Sequence, residues 1–147
     1  MTRLVSVTRE EIRVPDFCEP ISHYVDAVRF GNLVFVSGIA AIATDGSVFA
    51  PDDVTAQTRH VFESLRKLLR HVGADFVDVL KVTVFLTDVQ DRAAVNIVRK
   101  QYFSQSRPAS SLIGVNNLAL PGLRIEIEAV VGIENAGVQV SVDRLGS

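Results

Sequence analysis

The stretch Val54-Thr55-Ala56-Gln57-Thr58-Arg59-His60-Val61-Phe62-Glu63-Ser64-Leu65-Arg66-Lys67-Leu68-Leu69-Arg70-His71-Val72 decides the helical half of the fold. Val54, Val61, Phe62, Leu65, Leu68, Leu69 and Val72 recur at steps of three and four, while Arg59, Glu63, Arg66, Lys67 and Arg70 fall largely between them. That spacing draws one apolar stripe along a helix, so the segment predicts an amphipathic helix packed on a core. Asp52 or Asp53 can cap its start, and Gly73 is well placed to end it.

Outward from this helix the texture is that of strands. On the N-terminal side, residues 24–30 and 33–36 are β-prone runs separated by Gly31-Asn32, which predicts a hairpin. Asp45-Gly46 marks a second turn, with a short strand around Val48. On the C-terminal side, residues 79–86 read as a valine-rich strand and residues 91–103 as a second helix that buries Ala94, Ile97, Val98 and Phe103. Residues 111–115 and 124–133 complete the strands. The order is β-β-β-α-β-α-β-β, an α/β (α+β) arrangement with a mixed sheet and both helices on one face.

The ends carry less pattern. With Pro15 and Pro20, residues 1–22 read as an irregular arm or a short edge strand, and residues 135–147 as a tail in which Val138 to Val142 could add an edge strand. A single domain over residues 1–134 is the expected organisation, since 147 residues can enclose one substantial core. In the strand over 124–133, Ile125, Ile127 and Ala129 alternate with Arg124, Glu126 and Glu128, but residues 33–36 and 82–86 are apolar on both sides. The face left uncovered by helices is therefore expected to meet other subunits.

Composition removes several classes of function. A net charge of −2, with no run of basic residues, gives no footprint for nucleic acid. No window has the length and apolarity of a membrane span, and the N-terminus lacks a signal-peptide core, so a cytoplasmic protein is expected. Cys18 is the only cysteine, which excludes an intrachain disulfide and a CxxC pair. His23, His60 and His71 form no HxxxH or HExxH pattern, so no metal site is expected. GxGxxG, Walker A and GxSxG are absent as well.

Six segments, in order, resemble the RidA proteins, also called YjgF or endoribonuclease L-PSP proteins. They are residues 31–38 (Gly31-Asn32-Leu33-Val34-Phe35-Val36-Ser37-Gly38), Ala56-Gln57-Thr58-Arg59, residues 82–88, Ala94-Val95-Asn96, Pro108-Ala109-Ser110-Ser111 and Ile125-Glu126-Ile127-Glu128-Ala129. The resemblance implies a chorismate-mutase-like fold and a homotrimer with clefts between subunits that take a small-molecule substrate. It also implies hydrolysis of enamines and imines to a keto acid and ammonia, without a cofactor. By position it makes Glu126 the glutamate that orients water, and places Tyr24, Ser37 and Asn96 at the substrate. Ser22-His23 stands where the family has Gly-Pro, so the cleft mouth should differ in shape.

The important departure is Ser110. Deaminases of the family read Pro-Ala-Arg-Ser there, and that arginine clamps the substrate carboxylate with two charge-assisted hydrogen bonds. Losing such an anchor costs on the order of 2–5 kcal/mol if nothing replaces it. Arg13, Arg107 and Arg124 are the candidate replacements, Arg124 first because it should point the same way as Glu126. Two functions follow as expectations: a deaminase for a non-standard imine or enamine, with Ser110 holding its polar end, or a non-catalytic ligand-binding trimer. Ser110 and Ser111 have no base beside them in sequence, and Cys18 reads as an inert thiol.

Overall fold

The computed structural model describes residues 7–134. Six strands form one sheet: β1 (Arg9–Ile12), β2 (Ala27–Phe30), β3 (Leu33–Ala40), β4 (Val79–Leu86), β5 (Ala109–Gly114) and β6 (Ile125–Gly132). Two helices, α1 (Val54–His71) and α2 (Arg92–Phe103), complete the core elements. The strand order is β1-β2-β3-β6-β4-β5, antiparallel except for the β4–β5 pair.

The element order matches the expectation and the hairpin of residues 24–30 and 33–36 is present as β2 and β3, but the remaining strand comes from the arm and not from the segment around Val48. The arm supplies β1, paired with β2, whereas the segment around Val48 makes only a single bridge to Ile42. The arm can do this because Asp26 pins it. Its buried carboxylate accepts from Arg13 Nη1 at 2.9 Å and from the Val14 amide at 2.7 Å, while its own amide donates to the Ile12 carbonyl. A charge buried this far is stable only with such partners. Residues 135–147, including the possible strand at Val138 to Val142, lie outside the described residues.

Local chemistry sets the rest. Gly31 takes φ +64° in the two-residue turn that joins β2 to β3, a conformation that costs glycine nothing. Asp53 caps α1 by accepting from the Ala56 amide at 3.0 Å. The apolar stripe of α1, with Val61, Phe62, Leu65, Leu68 and Leu69, is almost wholly buried. Those side chains meet Val34, Val36, Val82, Val84, Ile125, Ile127 and Val131 in one core, each burial stabilising the fold by about 1.5–3 kcal/mol before entropy is counted. In α2, Val95, Val98 and Phe103 are buried, but Ile97, expected in the stripe, is 64% exposed.

The second face of the sheet stays open. By register it carries Phe35, Val130, Lys81, Thr83, Phe85, Glu126, Glu128, Ser111 and Ile113, since directly paired residues share a face. Phe35 is 49% exposed and Ile113 43%. β3 also outlasts β2: the last β2 pair is Ala27 with Val36, and beyond Ser37, whose amide still reaches the Asp26 carbonyl, residues 38–40 have only β6 as a strand neighbour. Between Val36 and Ile39 that β3–β6 ladder carries one extra residue on β3, a bulge at Ser37-Gly38.

Candidate functional site

Glu126 is the second residue of β6, paired with Ala40 of β3 and Phe85 of β4 on the open face. The bulge lays Gly38 directly on its carboxylate. A Cβ at position 38 would lie 2.8 Å from Glu126 Cδ and 3.1 Å from Cγ, so only glycine leaves room for the acid in this place. Half-burial pushes the Glu126 carboxyl above the ordinary carboxylate range, and the neighbouring negative charge of Glu128 adds to the effect. An acid held in this way can take a proton from water and return it.

The position of β6 depends on Gln57. Its fully buried side chain donates to the carbonyls of Ala50 at 3.1 Å and Gly122 at 2.7 Å, and accepts from the Arg124 amide at 2.8 Å. Gln57 thus ties α1 to the chain that enters β6, two residues before Glu126. The segment Ala56-Gln57-Thr58-Arg59 pointed to this residue, but not to its task.

On the far side of Gly38 a cavity of about 260 Å³ opens along the part of β3 that β2 does not cover. Tyr24, Ser37, Gly38, Ile39 and Ala40 line one wall, Asp16, Phe17 and Cys18 of the arm a second, and His60, Ser64 and Lys67 of α1 a third. Ser37 is fixed by its hydroxyl, which donates to the Val25 carbonyl at 2.6 Å, and by its amide, which donates to the Asp26 carbonyl at 3.0 Å. Tyr24 is exposed at the rim. His60 stacks on Phe49 with centroids 4.6 Å apart, and burial together with nearby Lys67 keeps its imidazole below its ordinary pKa. The Cys18 thiol is pushed up by burial and by Asp26, the opposite of an activated nucleophile.

Of the residues expected at the site, Tyr24 and Ser37 share this cavity, whereas Glu126 lies against the other side of Gly38 and does not line it. Ser110 does not join them within one chain. It pairs with Val82, whose side chain is buried beneath the helices, whereas Glu126 pairs with Phe85, so the two take opposite faces of the sheet. Ser111 is on the Glu126 side, where it accepts from Lys81 Nζ at 2.8 Å. Asn96 is half-buried on α2, away from the cavity lining.

The candidate replacement arginines are placed as follows. Arg124 turns its guanidinium to Asp91 at 2.7 Å and Asp88 at 3.9 Å, at the entry to α2. Arg13 is held by Asp26 and lies 3.5 Å from Glu19. Arg107 is exposed and has no ion pair among the described residues. Among the described residues no three His, Cys, Asp or Glu side chains converge on a metal position, and no helix is long and apolar enough to cross a membrane.

Comparison with known proteins gives a consistent picture. The family model described as Endoribonuclease L-PSP matches residues 16–133. The 3-aminoacrylate deaminase RutC of Acinetobacter baylyi is 36% identical over 125 residues, which is 84% of this chain and 98% of that protein. A 2-iminobutanoate/2-iminopropanoate deaminase of Capra hircus is 34% identical over 126 residues, 85% of this chain and 90% of that one. The crystal structure of RidA from an Antarctic Psychrobacter superposes with a TM-score of 0.79 at 29% identity, covering 84% of this chain and 99% of its own.

Proposed function

Because this chain belongs to the Endoribonuclease L-PSP family, the RidA/YjgF proteins, we propose that it hydrolyses a small imine or enamine to a carbonyl compound and ammonia. The observation that carries this reading is Glu126, a half-buried carboxylate seated under Gly38 with its proton affinity raised. Glu126 takes a proton from water as the water oxygen bonds to the imine carbon. The C=N pair moves to nitrogen, to which Glu126 returns that proton, giving a carbinolamine. Glu126 then takes the carbinolamine hydroxyl proton and passes it to the amino nitrogen as C=O forms and the C–N bond breaks, so that ammonia leaves and the carboxylate is restored. An enamine first accepts a proton at its β-carbon to become the imine. One water is consumed and one ammonia released, and none of these steps requires a cofactor.

Tyr24 and Ser37 line the entrance to this centre in our reading, and the unit is a homotrimer built on residues 1–134. The open sheet face, with Phe35 and Ile113 exposed, offers the surface on which other copies would pack. A neighbouring copy is also what would bring Ser110 and Asn96 towards a Glu126 that their own chain keeps apart from them. The protein is placed in the cytoplasm and away from nucleic acid, in keeping with a net charge of −2.

The test generates 2-iminobutanoate, or the enamine from serine, beside semicarbazide and follows semicarbazone formation. Wild type should suppress the trap by hydrolysing the imine first, and Glu126→Gln should not. Equal trapping with and without wild-type protein, across several imines and enamines, rejects the reaction and leaves a ligand-binding trimer, the reading that the missing arginine at Ser110 favours.

A further inference from the structure

The open sheet face is apolar towards both ends and polar across its middle. Phe35 and Val130 lie on one side, with Leu80 over Gly132 beside them, and Phe85 and Ile113 lie on the other. Between them, direct pairing across β6, β4 and β5 sets Glu128, Thr83 and Ser111 in one row. Lys81 stands one pleat from that row and is steadied by its bond to the Ser111 hydroxyl. A cavity of about 180 Å³ opens on this face, lined by Lys81 and Glu128 together with Phe35, Thr83 and Val130. Neither charge has an ion pair among the described residues. The other charges of the face are committed: Arg9 and Glu11 pair with each other at 2.6 Å, and Glu126 is seated against Gly38.

The face thus leaves one cation and one anion unpaired among exposed apolar side chains. Covering it with an apolar surface would bury both charges without partners, at high cost. A second copy of the same face brings one charge of each sign and so matches it. We propose that Lys81 of one copy pairs with Glu128 of the next, and that this ion pair sets the register in which the open faces dock. The inference rests on the homotrimer reading above and adds the contact that selects a like chain as partner. In a ring each copy gives its lysine to one neighbour and its glutamate to the other, so the contact runs head to tail and the ring closes with no charge left over.

Sedimentation equilibrium of charge variants tests the pair. Wild type should have the mass of three chains, and salt should weaken its assembly. Lys81→Glu and Glu128→Lys each oppose like charges and should each leave single chains at concentrations where wild type is assembled. Lys81→Gln, which removes the charge without reversing it, should weaken assembly at least tenfold. Neither reversed chain can form the pair with its own kind, but in a mixed ring of three, two of the contacts become attractive. The equimolar mixture should therefore associate, and the double variant Lys81→Glu/Glu128→Lys should recover the wild-type mass. Glu128 is exposed and Lys81 half-buried, so the variants should keep the circular dichroism of wild type. Wild-type assembly of both reversed variants, or a mixture that stays as single chains, overturns the pair. The two readings fail separately: a wild type of single chains removes the homotrimer and the pair with it, whereas trimers indifferent to both reversals remove the pair alone.

Discussion

Replacing Gly38 by alanine tests the site at its tightest point. The added methyl would sit 2.8 Å from Glu126 Cδ, with the carboxylate oxygen in front of it, and ordinary contact begins near 3.4 Å. The carboxylate must therefore swing aside by on the order of 1 Å, and a misplacement of that size costs a reacting group roughly 100-fold in rate, about 2.7 kcal/mol. The fold should barely register the change. An off-rotamer glutamate costs about 0.5–1.5 kcal/mol, and replacing a glycine whose φ is not positive returns about 0.4–1 kcal/mol by restricting the unfolded chain. The expected outcome is a melting temperature within about 3 °C of wild type and a kcat/KM for imine hydrolysis lowered about 100-fold. The double variant Gly38→Ala/Glu126→Gln should be no slower than Glu126→Gln alone, because both changes act on one carboxylate. Wild-type kinetics in Gly38→Ala, from protein shown to be folded, would refute the placement of Glu126 at the reacting centre.

Four further outcomes follow from the same geometry. Since the Glu126 carboxyl is raised by burial and then by Glu128, the acid limb of the kcat/KM profile should lie above the ordinary carboxylate range, and Glu128→Gln should move it to lower pH without bringing it fully down. The folded protein holds that proton to higher pH than the unfolded chain, so stability should decline as pH rises from the ordinary glutamate value through the raised one, and Glu126→Gln should flatten the decline in pH-dependent urea melts. Gln57→Leu strands the Ala50 and Gly122 carbonyls and the Arg124 amide, which should cost about 3 kcal/mol and lower Tm by roughly 6–12 °C in calorimetry. Light scattering should report the mass of three chains, and Phe35→Glu, which charges the middle of the open sheet face, should reduce it to one.

Local pattern carried the elements. The stripe of α1, its Asp53 cap and the Gly31-Asn32 turn depend on residues close in sequence, and each lies where the pattern puts it. The shifts came from long-range pairing. β3 runs to Ala40 because β6 accompanies it past the bulge, while the segment at Val48 finds only Ile42. Alternation along one strand placed Glu126 on the charged side but was silent about Ser110, because the face that β5 presents is set by its register with β4. It also favoured Arg124 as an anion anchor, and nothing near position 124 in sequence foretold that Asp91, across the fold, would take its guanidinium. Gly38 and the His60, Ser64 and Lys67 row had visible signals, a Ser-Gly pair inside an apolar strand and polar residues at helical spacing. Only the folded chain shows that they face one another.

The stretch of β3 beyond β2 divides the cavity between two kinds of material. One wall is sheet, where Gly38 is fixed by the acid beneath it and Gln57 holds the neighbouring strand in place. The other walls are the arm and the outer flank of α1, where Asp16 and Lys67 are exposed and support no core packing. Residues of the arm and the outer flank of α1 can therefore be exchanged at little cost to folding, whereas loss of Gln57 strands three buried polar groups. Under the proposed hydrolysis, that makes the arm and the α1 flank the places to randomise when a new imine specificity is sought.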